Sequence, residues 1–255
     1  MPLLEITNLN ISFGGLRALN NFNFTLDTGE LVALIGPNGA GKTTAFNAVT
    51  GIYPPSQGDI RLAGKSIAGQ KAFHVNRMGI ARTFQNIRLF AGLSVLDNVL
   101  VGSDHSLKHG FFAAALRTPG HEAENEKHVG MAMDLLQTLS LAERADDLAG
   151  SLPYGQQRRL EIARALATGP RILLLDEPAA GMNPQEKGQL MNLIRFIRDQ
   201  FKLGIWIIEH DMKLVMTICE RLTVLDHGET IAVGTPKEIQ RDPKVIEAYL
   251  GEPVP

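Results

Sequence analysis

The sequence is poor in cysteine and contains no long apolar run. Cys219 is the only cysteine, so no disulfide can form within the chain, and this usage fits a reducing compartment. Apolar runs such as 31–35 and 172–175 are far shorter than the roughly 20 residues that cross a bilayer. Residues 1–15 lack the basic start and the apolar stretch of a signal peptide. Any association with a membrane is therefore expected to go through a partner chain.

The sequence also lacks an excess of charge of either sign. Its 255 residues carry a formal net charge of −2, which gives no general attraction to nucleic acid or to an anionic membrane surface. The apolar fraction of 44% and the charged fraction of 20% are ordinary for a globular protein. A chain of this length is expected to form one or two domains with a sizeable core.

Strands and helices are expected to alternate along most of the chain. Residues 3–13 and 22–26 alternate between apolar and polar side chains, as half-buried strands do, and 53–59 is expected to be a turn. Further strands are expected at 31–35, 60–62, 171–176, 204–209 and 221–226, and helices at 42–50, 154–168, 184–201, 211–219 and 245–250. This alternation predicts a parallel sheet with helices on both faces.

Residues 86–150 differ in character from the rest of the chain. They show helical spacing of apolar residues, for example at Met131, Leu135 and Leu139, around a stretch at 102–121 that contains Gly, His and Phe. We expect a mainly helical insertion here.

A glycine-rich loop follows the strand at 31–35 and precedes a helix. Its residues match the pattern G-x-x-x-x-G-K-[ST] and are Gly36, Pro37, Asn38, Gly39, Ala40, Gly41, Lys42, Thr43 and Thr44. Glycines let successive backbone N–H groups converge on phosphate oxygens, and the helix N-terminus favours an anion. Lys42 is expected to neutralise the phosphates, and the Thr43 hydroxyl to bind Mg²⁺.

Two carboxylates end the apolar strand at 171–176. Such a pair, Asp176 and Glu177, is by itself as consistent with solvated acids at a strand end as with chemistry. With a phosphate loop in the same chain, Asp176 is expected to hold Mg²⁺ and Glu177 to act as the general base on an attacking water.

Five motifs in one order resemble the nucleotide-binding domains of ABC transporters along essentially the whole chain. They are the phosphate loop, Gln85, the segment 152–156 (Leu-Pro-Tyr-Gly-Gln), Asp176-Glu177 and His210. The resemblance implies an α/β P-loop ABC ATPase with a RecA-like core, an N-terminal antiparallel β subdomain and a helical insertion. The implied division is a nucleotide-binding core with the β subdomain at 1–85 and 160–240, a helical subdomain with the signature motif at 86–159, and a C-terminal helix and tail at 241–255.

The resemblance also assigns roles to single residues. It implies that Phe13 stacks on the adenine of ATP, although an aromatic at a strand end is also common in cores. Gln85 would sense Mg²⁺, contribute to catalysis and link to a permease, although it also reads as an ordinary polar loop residue. His210, at the carboxyl end of a strand, would lie near the γ-phosphate.

The signature-like segment 152–156 is implied to complete the ATP site of a second subunit. Tyr154, Gly155 and Gln156 would face the partner's phosphates, so the site would form only in a head-to-tail dimer. The Arg158-Arg159 pair that follows is more typical of a solvated or ion-paired helix face than of a nucleic-acid patch. Pro153 stands where the family usually has Ser, and Asn183 where it usually has Asp.

Within the family, the chain most resembles the ATPase subunits of branched-chain amino-acid importers. The stretches 79–90, 158–166, 176–184, 208–212 and 248–251 carry this likeness. ATPases of urea or amide importers and of lipopolysaccharide exporters share much of the pattern, and a soluble non-transport ABC ATPase or a nucleotide-binding regulator without turnover are further alternatives.

The resemblance implies a set of partners and a location. It implies a homo- or heterodimer of ATPases beneath two membrane permeases, a periplasmic or extracellular solute-binding protein, no nucleic acid, and a peripheral position on the cytoplasmic face of the inner (plasma) membrane. Residues 86–101 are a candidate groove for a permease helix, with core packing an equal alternative for Leu89 and Phe90.

Overall fold

The computed structural model describes residues 1–103 and 119–250. The chain forms two compact units. The first holds Met1–Arg82 and the chain from Arg171 onward, and the second holds Thr83–Pro170. Most of the stretch at 102–121 lies outside the described residues. The subdomain boundaries drawn from the sequence, at 85/86 and 159/160, stay a prediction.

A four-stranded antiparallel sheet occupies the N-terminal part of the first unit. Its order is β2-β1-β4-β5, with β1 at Leu4–Phe13, β2 at Leu16–Leu26, β4 at Gln57–Leu62 and β5 at Lys65–Ser66. The alternation read from 3–13 therefore does mark a half-buried strand. Strand β2 begins six residues before the predicted 22, because Leu16 and Arg17 continue the pairing with β1 through irregular register.

The second sheet of this unit has six strands in the order β10-β9-β3-β8-β7-β6. The strands are β3 Leu31–Ile35, β6 Ile80–Arg82, β7 Ile172–Asp176, β8 Gly204–Ile208, β9 Arg221–Asp226 and β10 Glu229–Gly234. All neighbours pair in parallel except β9 and β10, which form an antiparallel hairpin at one edge. Strands β3, β7 and β8 are buried along their whole length, as continuous apolar runs in a parallel sheet are.

In the described part of the first unit, four helices connect these strands and two more follow β10. They are α1 Lys42–Val49, α2 Ala72–Arg77, α6 Pro184–Phe201, α7 Met212–Ile218, α8 Pro236–Ile239 and α9 Pro243–Leu250. Helix α1 ends before Gly51, which has a left-handed φ of 73°. Helix α6 begins with a capping box: the Asn183 side chain accepts the Glu186 N–H, and the Glu186 carboxylate accepts the Asn183 N–H. Asn183 therefore has a structural role as a helix cap.

The core of the first unit joins both sheets and α1 around Trp206. This side chain of β8 is fully buried, stacks on Phe24 with ring centroids 4.0 Å apart, and meets Phe46 of α1 edge-on at 4.8 Å. Phe22 stacks on Phe24 at 6.2 Å. The helix that carries the phosphate loop is thus packed against the centre of the unit, which limits its freedom to move.

The second unit is helical where it is described. Its helices are α3 Val95–Ser103, α4 Pro119–Thr138 and α5 Tyr154–Ala167, with single 3₁₀ turns at Ala142–Arg144 and Ala149–Ser151. Helix α3 packs against both α4 and α5. Residues 83–94 form no helix, because the expected helical insertion starts only where Ser94 caps α3 by accepting the Asp97 N–H at 2.9 Å. Within residues 1–103 and 119–250, no helix is both long and apolar enough to cross a bilayer.

Candidate functional site

The phosphate loop lies between β3, at the centre of the six-stranded sheet, and α1. Gly36, Gly39 and Gly41 all adopt positive φ angles of 148°, 81° and 103°. A Cβ atom at Gly36 would come within 2.0 Å of the Leu225 carbonyl oxygen, and one at Gly41 within 2.6 Å of the Ala18 oxygen. Glycine is required at both positions because the backbone is left-handed and closely packed there.

Lys42 closes the loop upon itself. Its Nζ donates to the carbonyl oxygens of Gly36 at 2.7 Å and Pro37 at 2.8 Å. Burial lowers the pKa of the lysine below its ordinary value, and the nearby carboxylates of Glu177 and Asp176 partly offset this shift. The ammonium group therefore stands between the loop and the two acids at the end of β7, where a phosphate charge would be neutralised.

Asp176 is a buried carboxylate at the end of β7. Its Oδ2 accepts a hydrogen bond from Arg82 Nη2 at 2.6 Å, and the two side chains are 8% and 6% exposed. Arg82 ends β6, the neighbouring strand. The carboxylate that the sequence assigns to Mg²⁺ is thus held by a buried guanidinium group.

Glu177 and His210 face each other across the edge of the sheet. Glu177 Oε2 lies 3.5 Å from His210 Nδ1; the glutamate is mostly buried, and the histidine side chain is 66% exposed. Glu177 has a left-handed φ of 45°, unusual for a residue with a side chain and held here by its N–H bond to Ile208 O at 2.9 Å. The strand ends of β7 and β8 therefore bring the expected base and the expected phosphate-sensing histidine together.

A second buried carboxylate, Glu209, ties these loops to each other. It is 1% exposed and accepts the N–H groups of Ala179 at 2.9 Å, His210 at 3.2 Å and Asp211 at 3.3 Å. Burial raises the pKa of Glu209, and these backbone donors counteract the shift. The loop after Glu177 and the loop that carries His210 thus share one acceptor.

Phe13 lies at the end of β1 with its ring 44% exposed, so the alternative of a core phenylalanine is wrong. The ring meets Tyr53 edge-on, with centroids 5.0 Å apart. The two aromatic rings form an exposed apolar patch of the kind on which a base can stack. The adenine role of Phe13 stays a prediction.

The residues present fit a magnesium ion. Mg²⁺ prefers oxygen ligands, keeps several waters, and is usually bound by one or two protein groups together with substrate phosphates. Asp176 supplies a carboxylate and Thr43, exposed at the start of α1, supplies a hydroxyl. Among the residues that the structure describes, there is no group of three or more His, Cys, Asp or Glu that could hold a metal ion.

Gln85 and the segment 152–156 lie in the second unit. Arg158 of α5 is fully buried and donates to the carbonyl oxygens of Phe84 at 2.6 Å and Gln85 at 2.7 Å. It also pairs with Glu161 at 2.6 Å, and the other Glu161 oxygen accepts the Arg88 N–H at 3.2 Å. Arg158 is thus an ion-paired residue, and α5 holds the backbone around Gln85 in place.

The signature-like segment opens α5. Pro153 occupies the N-cap and offers no side-chain cap, while its carbonyl oxygen accepts the N–H groups of Gln156 at 2.9 Å and Gln157 at 3.0 Å. The first two amides of the helix, those of Tyr154 and Gly155, precede these bonds and have no carbonyl partner within the helix, so they stand where an anion is favoured. Tyr154 is 43% exposed. Phe90 is also 49% exposed, which argues against core packing for its ring.

Together, the loop, the lysine and the carboxylates have the arrangement expected of a P-loop nucleotide site. A family model described as ABC transporter matches residues 19–180, and one described as branched-chain amino acid ATP-binding cassette transporter matches residues 229–255. The chain belongs to the ABC transporter family and is one of its ATP-binding ATPases. The expected family and fold class are confirmed.

Similar proteins match along nearly their whole length. The chain is 46% identical to the high-affinity branched-chain amino acid transport ATP-binding protein BraF of Pseudomonas aeruginosa and 47% identical to LivG, of the same description, from Escherichia coli K12. Each match covers 98% of both chains. Identity to the lipopolysaccharide export system ATP-binding protein LptB of Escherichia coli is 35%, over 99% of this chain and 98% of LptB.

A solved structure has the same fold. It is the ADP conformation of MJ1267, an ATP-binding cassette of an ABC transporter, and it superposes with a TM-score of 0.86 at 31% identity. The match covers 99% of this chain and 100% of MJ1267.

Proposed function

We propose that this chain is the ATP-hydrolysing subunit that powers an ABC importer for the branched-chain amino acids leucine, isoleucine and valine. The single observation that carries hydrolysis is the convergence of Glu177, His210, Lys42 and Asp176 at one edge of the sheet. Support for the substrate comes from the 46–47% identity to BraF and LivG, compared with 35% to LptB. A urea or amide importer, or a lipopolysaccharide exporter, is the alternative.

One subunit supplies most of the proposed ATP site, namely the groups that bind adenine, the phosphates and the metal ion. Phe13 stacks on adenine, residues 36–44 surround the phosphates, and Lys42 neutralises their charge. Thr43, Asp176 and Gln85 would hold Mg²⁺, which would supply further positive charge beside the phosphates. Phosphoryl transfer depends mostly on this positioning and charge neutralisation.

Glu177 is the proposed general base. Its carboxylate would accept a proton from the attacking water, because it is mostly buried yet lies at the open end of β7. His210, 3.5 Å away, would contact the γ-phosphate and hold the water and phosphate in line. Glu209 fixes the two loops that carry these side chains.

A second ATPase subunit completes the site. Its Tyr154, Gly155 and Gln156 would approach the γ-phosphate, so ATP favours the closed dimer and hydrolysis reopens it. The partner is a second copy of this chain or a different ATPase. Closure would drive two membrane permeases, which receive substrate from a solute-binding protein. We place the chain on the cytoplasmic face of the membrane, held there by the permeases, and assign it no nucleic-acid partner.

The first test replaces the base. Glu177→Gln should bind ATP and dimerise, yet hydrolyse at least about 100-fold more slowly, since general-base catalysis contributes roughly 10²–10⁴-fold. Phosphate release and size-exclusion chromatography with ATP measure the two properties. Glu143→Gln, at an exposed position of the second unit, is the control and should hydrolyse normally. Undiminished hydrolysis by Glu177→Gln would remove the base assignment.

A second test addresses the substrate. Cells without this gene should lose uptake of labelled leucine, isoleucine and valine, and regain it with the wild-type gene but not with Lys42→Ala. Urea uptake and outer-membrane lipopolysaccharide are measured in the same cells. Loss of either of these, with normal leucine uptake, would favour the corresponding alternative.

A further inference from the structure

Arg82 is a buried cation that no motif of the sequence explains. It ends β6 at the edge of the parallel sheet and pairs in register with Leu174 of β7, two residues before Asp176. Its side chain is only 6% exposed. Burying a guanidinium and a carboxylate removes both from water, a cost that is recovered only where geometry and further hydrogen bonds are good.

The guanidinium group joins Asp176 to the helix that carries the phosphate loop. Nη2 donates to Asp176 Oδ2 at 2.6 Å, while Nη1 donates to Asn47 Oδ1 at 2.7 Å and Thr50 Oγ1 at 3.3 Å. The guanidinium carbon also lies 5.4 Å from the centre of the Phe46 ring. Phe46 and Asn47 belong to α1, and Thr50 is its C-cap.

This arrangement fixes the direction of the Asp176 carboxylate relative to helix α1. The planar fork of arginine holds two partners at a defined angle, which a lysine cannot do. One oxygen of Asp176 is bound to Arg82, so the other is left for a ligand. Helix α1 begins with Lys42 and Thr43. The contacts of Arg82 with Asp176 and with this helix therefore also set the position of the Asp176 carboxylate relative to the Thr43 hydroxyl.

We propose that Arg82 is a positioning residue for magnesium binding: it holds Asp176 in the orientation in which this carboxylate, together with Thr43, binds the Mg²⁺ of Mg·ATP. This inference rests on the proposed role of Asp176 as a magnesium ligand. Removal of a group that orients a metal ligand typically lowers the affinity for the metal 10- to 100-fold. Arg82 acts through Asp176 and does not touch the metal.

The test measures the magnesium dependence of nucleotide binding, not hydrolysis. A fluorescent ATP analogue is titrated with Mg²⁺ at a fixed analogue concentration, and its binding without Mg²⁺ is measured separately. In Arg82→Met, the Mg²⁺ concentration for half-maximal binding should rise about 10-fold or more. Binding without Mg²⁺ should change by less than about twofold, because Lys42 and the loop are intact. Arg82→Lys should recover only part of the loss.

The matched control is another arginine–carboxylate pair of the same unit. Arg221, the first residue of β9, donates to the Glu30 carboxylate at 2.9 Å, and the two side chains are 27% and 20% exposed. Arg221→Met should lower stability in urea without changing the Mg²⁺ concentration for half-maximal binding. If Arg82→Met fails to fold, Asn47→Ala is used instead, because it removes the side chain of α1 to which Arg82 donates. The Mg²⁺ concentration for half-maximal binding should then rise at least about twofold.

Each outcome decides one question. An unchanged Mg²⁺ dependence in a folded Arg82→Met or Asn47→Ala variant would overturn the positioning role. So would tighter Mg²⁺ binding, because Arg82 would then compete with the metal for Asp176. Asp176→Asn separates this inference from the proposed function: if it too leaves the Mg²⁺ dependence unchanged, the magnesium site itself is misassigned.

Discussion

At the scale of single residues, the site combines side chains that the sequence identifies with others that only the fold brings to them. Lys42 begins the helix after the phosphate loop, Asp176 ends β7, and His210 lies two residues after β8, so a local pattern is enough to find each of them. Arg82 pairs with Asp176 across 94 residues, and Glu209 bonds Ala179 across 30. No periodicity encodes such pairs, because they depend on which strands become neighbours in the sheet.

The exposed Phe13 ring provides the first prediction at this scale. Phe13→Ala should raise the Michaelis constant for ATP about 10-fold, because stacking of a base on an aromatic ring is worth roughly 1–3 kcal/mol. The maximal rate should be nearly unchanged, since the phosphates are held elsewhere. Steady-state ATPase kinetics measure both. Phe13→Trp, which keeps a ring, should bind ATP normally, as should Phe73→Ala, whose ring is 54% exposed on α2. An unchanged Michaelis constant in Phe13→Ala would contradict the stacking role.

At the scale of elements, the buried strands and the helices at 154–168 and 184–201 could be predicted closely, whereas edge strands and the bounds of the helices in the insertion could not. Strands 31–35 and 221–226 and helix 184–201 have the expected bounds, because each is bordered by turn or capping residues. The sequence pattern predicts no strand at β10, although His227 and Gly228, with φ of 44° and 81°, form the two-residue turn of a hairpin. The dipeptide His-Gly is a weaker hairpin indication than Asn-Gly, and β10 is half-exposed.

Helix α7 carries a prediction about pH. Its cap, Asp211, accepts the Leu214 N–H and binds Lys187 Nζ at 2.6 Å. The hydrogen bond from Lys187 lowers the pKa of Asp211 below its ordinary value. A carboxyl group whose pKa is lower in the folded protein than in the unfolded chain stabilises the fold. This stabilisation is present above the pKa of the unfolded chain and is lost as the pH falls through the pKa of the folded protein.

Asp211→Asn keeps a good cap but removes this ion pair. At about pH 7 it should lower the free energy of unfolding by about 0.5–1 kcal/mol, the range for an exposed pair. The difference in the free energy of unfolding between the variant and the wild type should shrink once the pH falls below about 4, because the wild-type carboxylate then becomes protonated. Urea unfolding across this range measures it, with Lys187→Met as the matched variant. A gap that does not depend on pH would show that the ion pair contributes nothing.

The aromatic contact between β8, β2 and α1 gives a second prediction for elements. Trp206→Ala should lower the free energy of unfolding by about 3–5 kcal/mol, because it opens a cavity where Phe24 and Phe46 now pack. Urea unfolding measures the loss. Phe196→Ala, on α6 with its ring 49% exposed, is the control and should cost less than about 1 kcal/mol. Equal effects of the two substitutions would mean that Trp206 is not central to the core.

At the scale of the whole molecule, the residues of the proposed ATP site are divided between two compact units. Lys42, Asp176, Glu177 and His210 belong to the first unit, and Gly155 belongs to the second. The order of motifs along the chain could be predicted from the sequence, because each motif is local. Which chain supplies Gly155 to which phosphate is a property of the assembly, so a mixing experiment has to decide it.

Two inactive variants should restore activity to each other when mixed. Lys42→Ala removes the phosphate charge partner, and Gly155→Asp places a negative charge where the partner's phosphate would lie. In a head-to-tail dimer of one variant with the other, both defects fall in one site and leave the second site intact. Equal amounts, once exchanged, should show about a quarter of wild-type hydrolysis, since half of the dimers are mixed and each has one intact site. Lys42→Ala mixed with itself, with its folding checked by urea unfolding, stays inactive. If two folded variants regain nothing on mixing, the sites do not form between two copies of this chain, and the partner must be a different ATPase or the signature segment must act within its own chain.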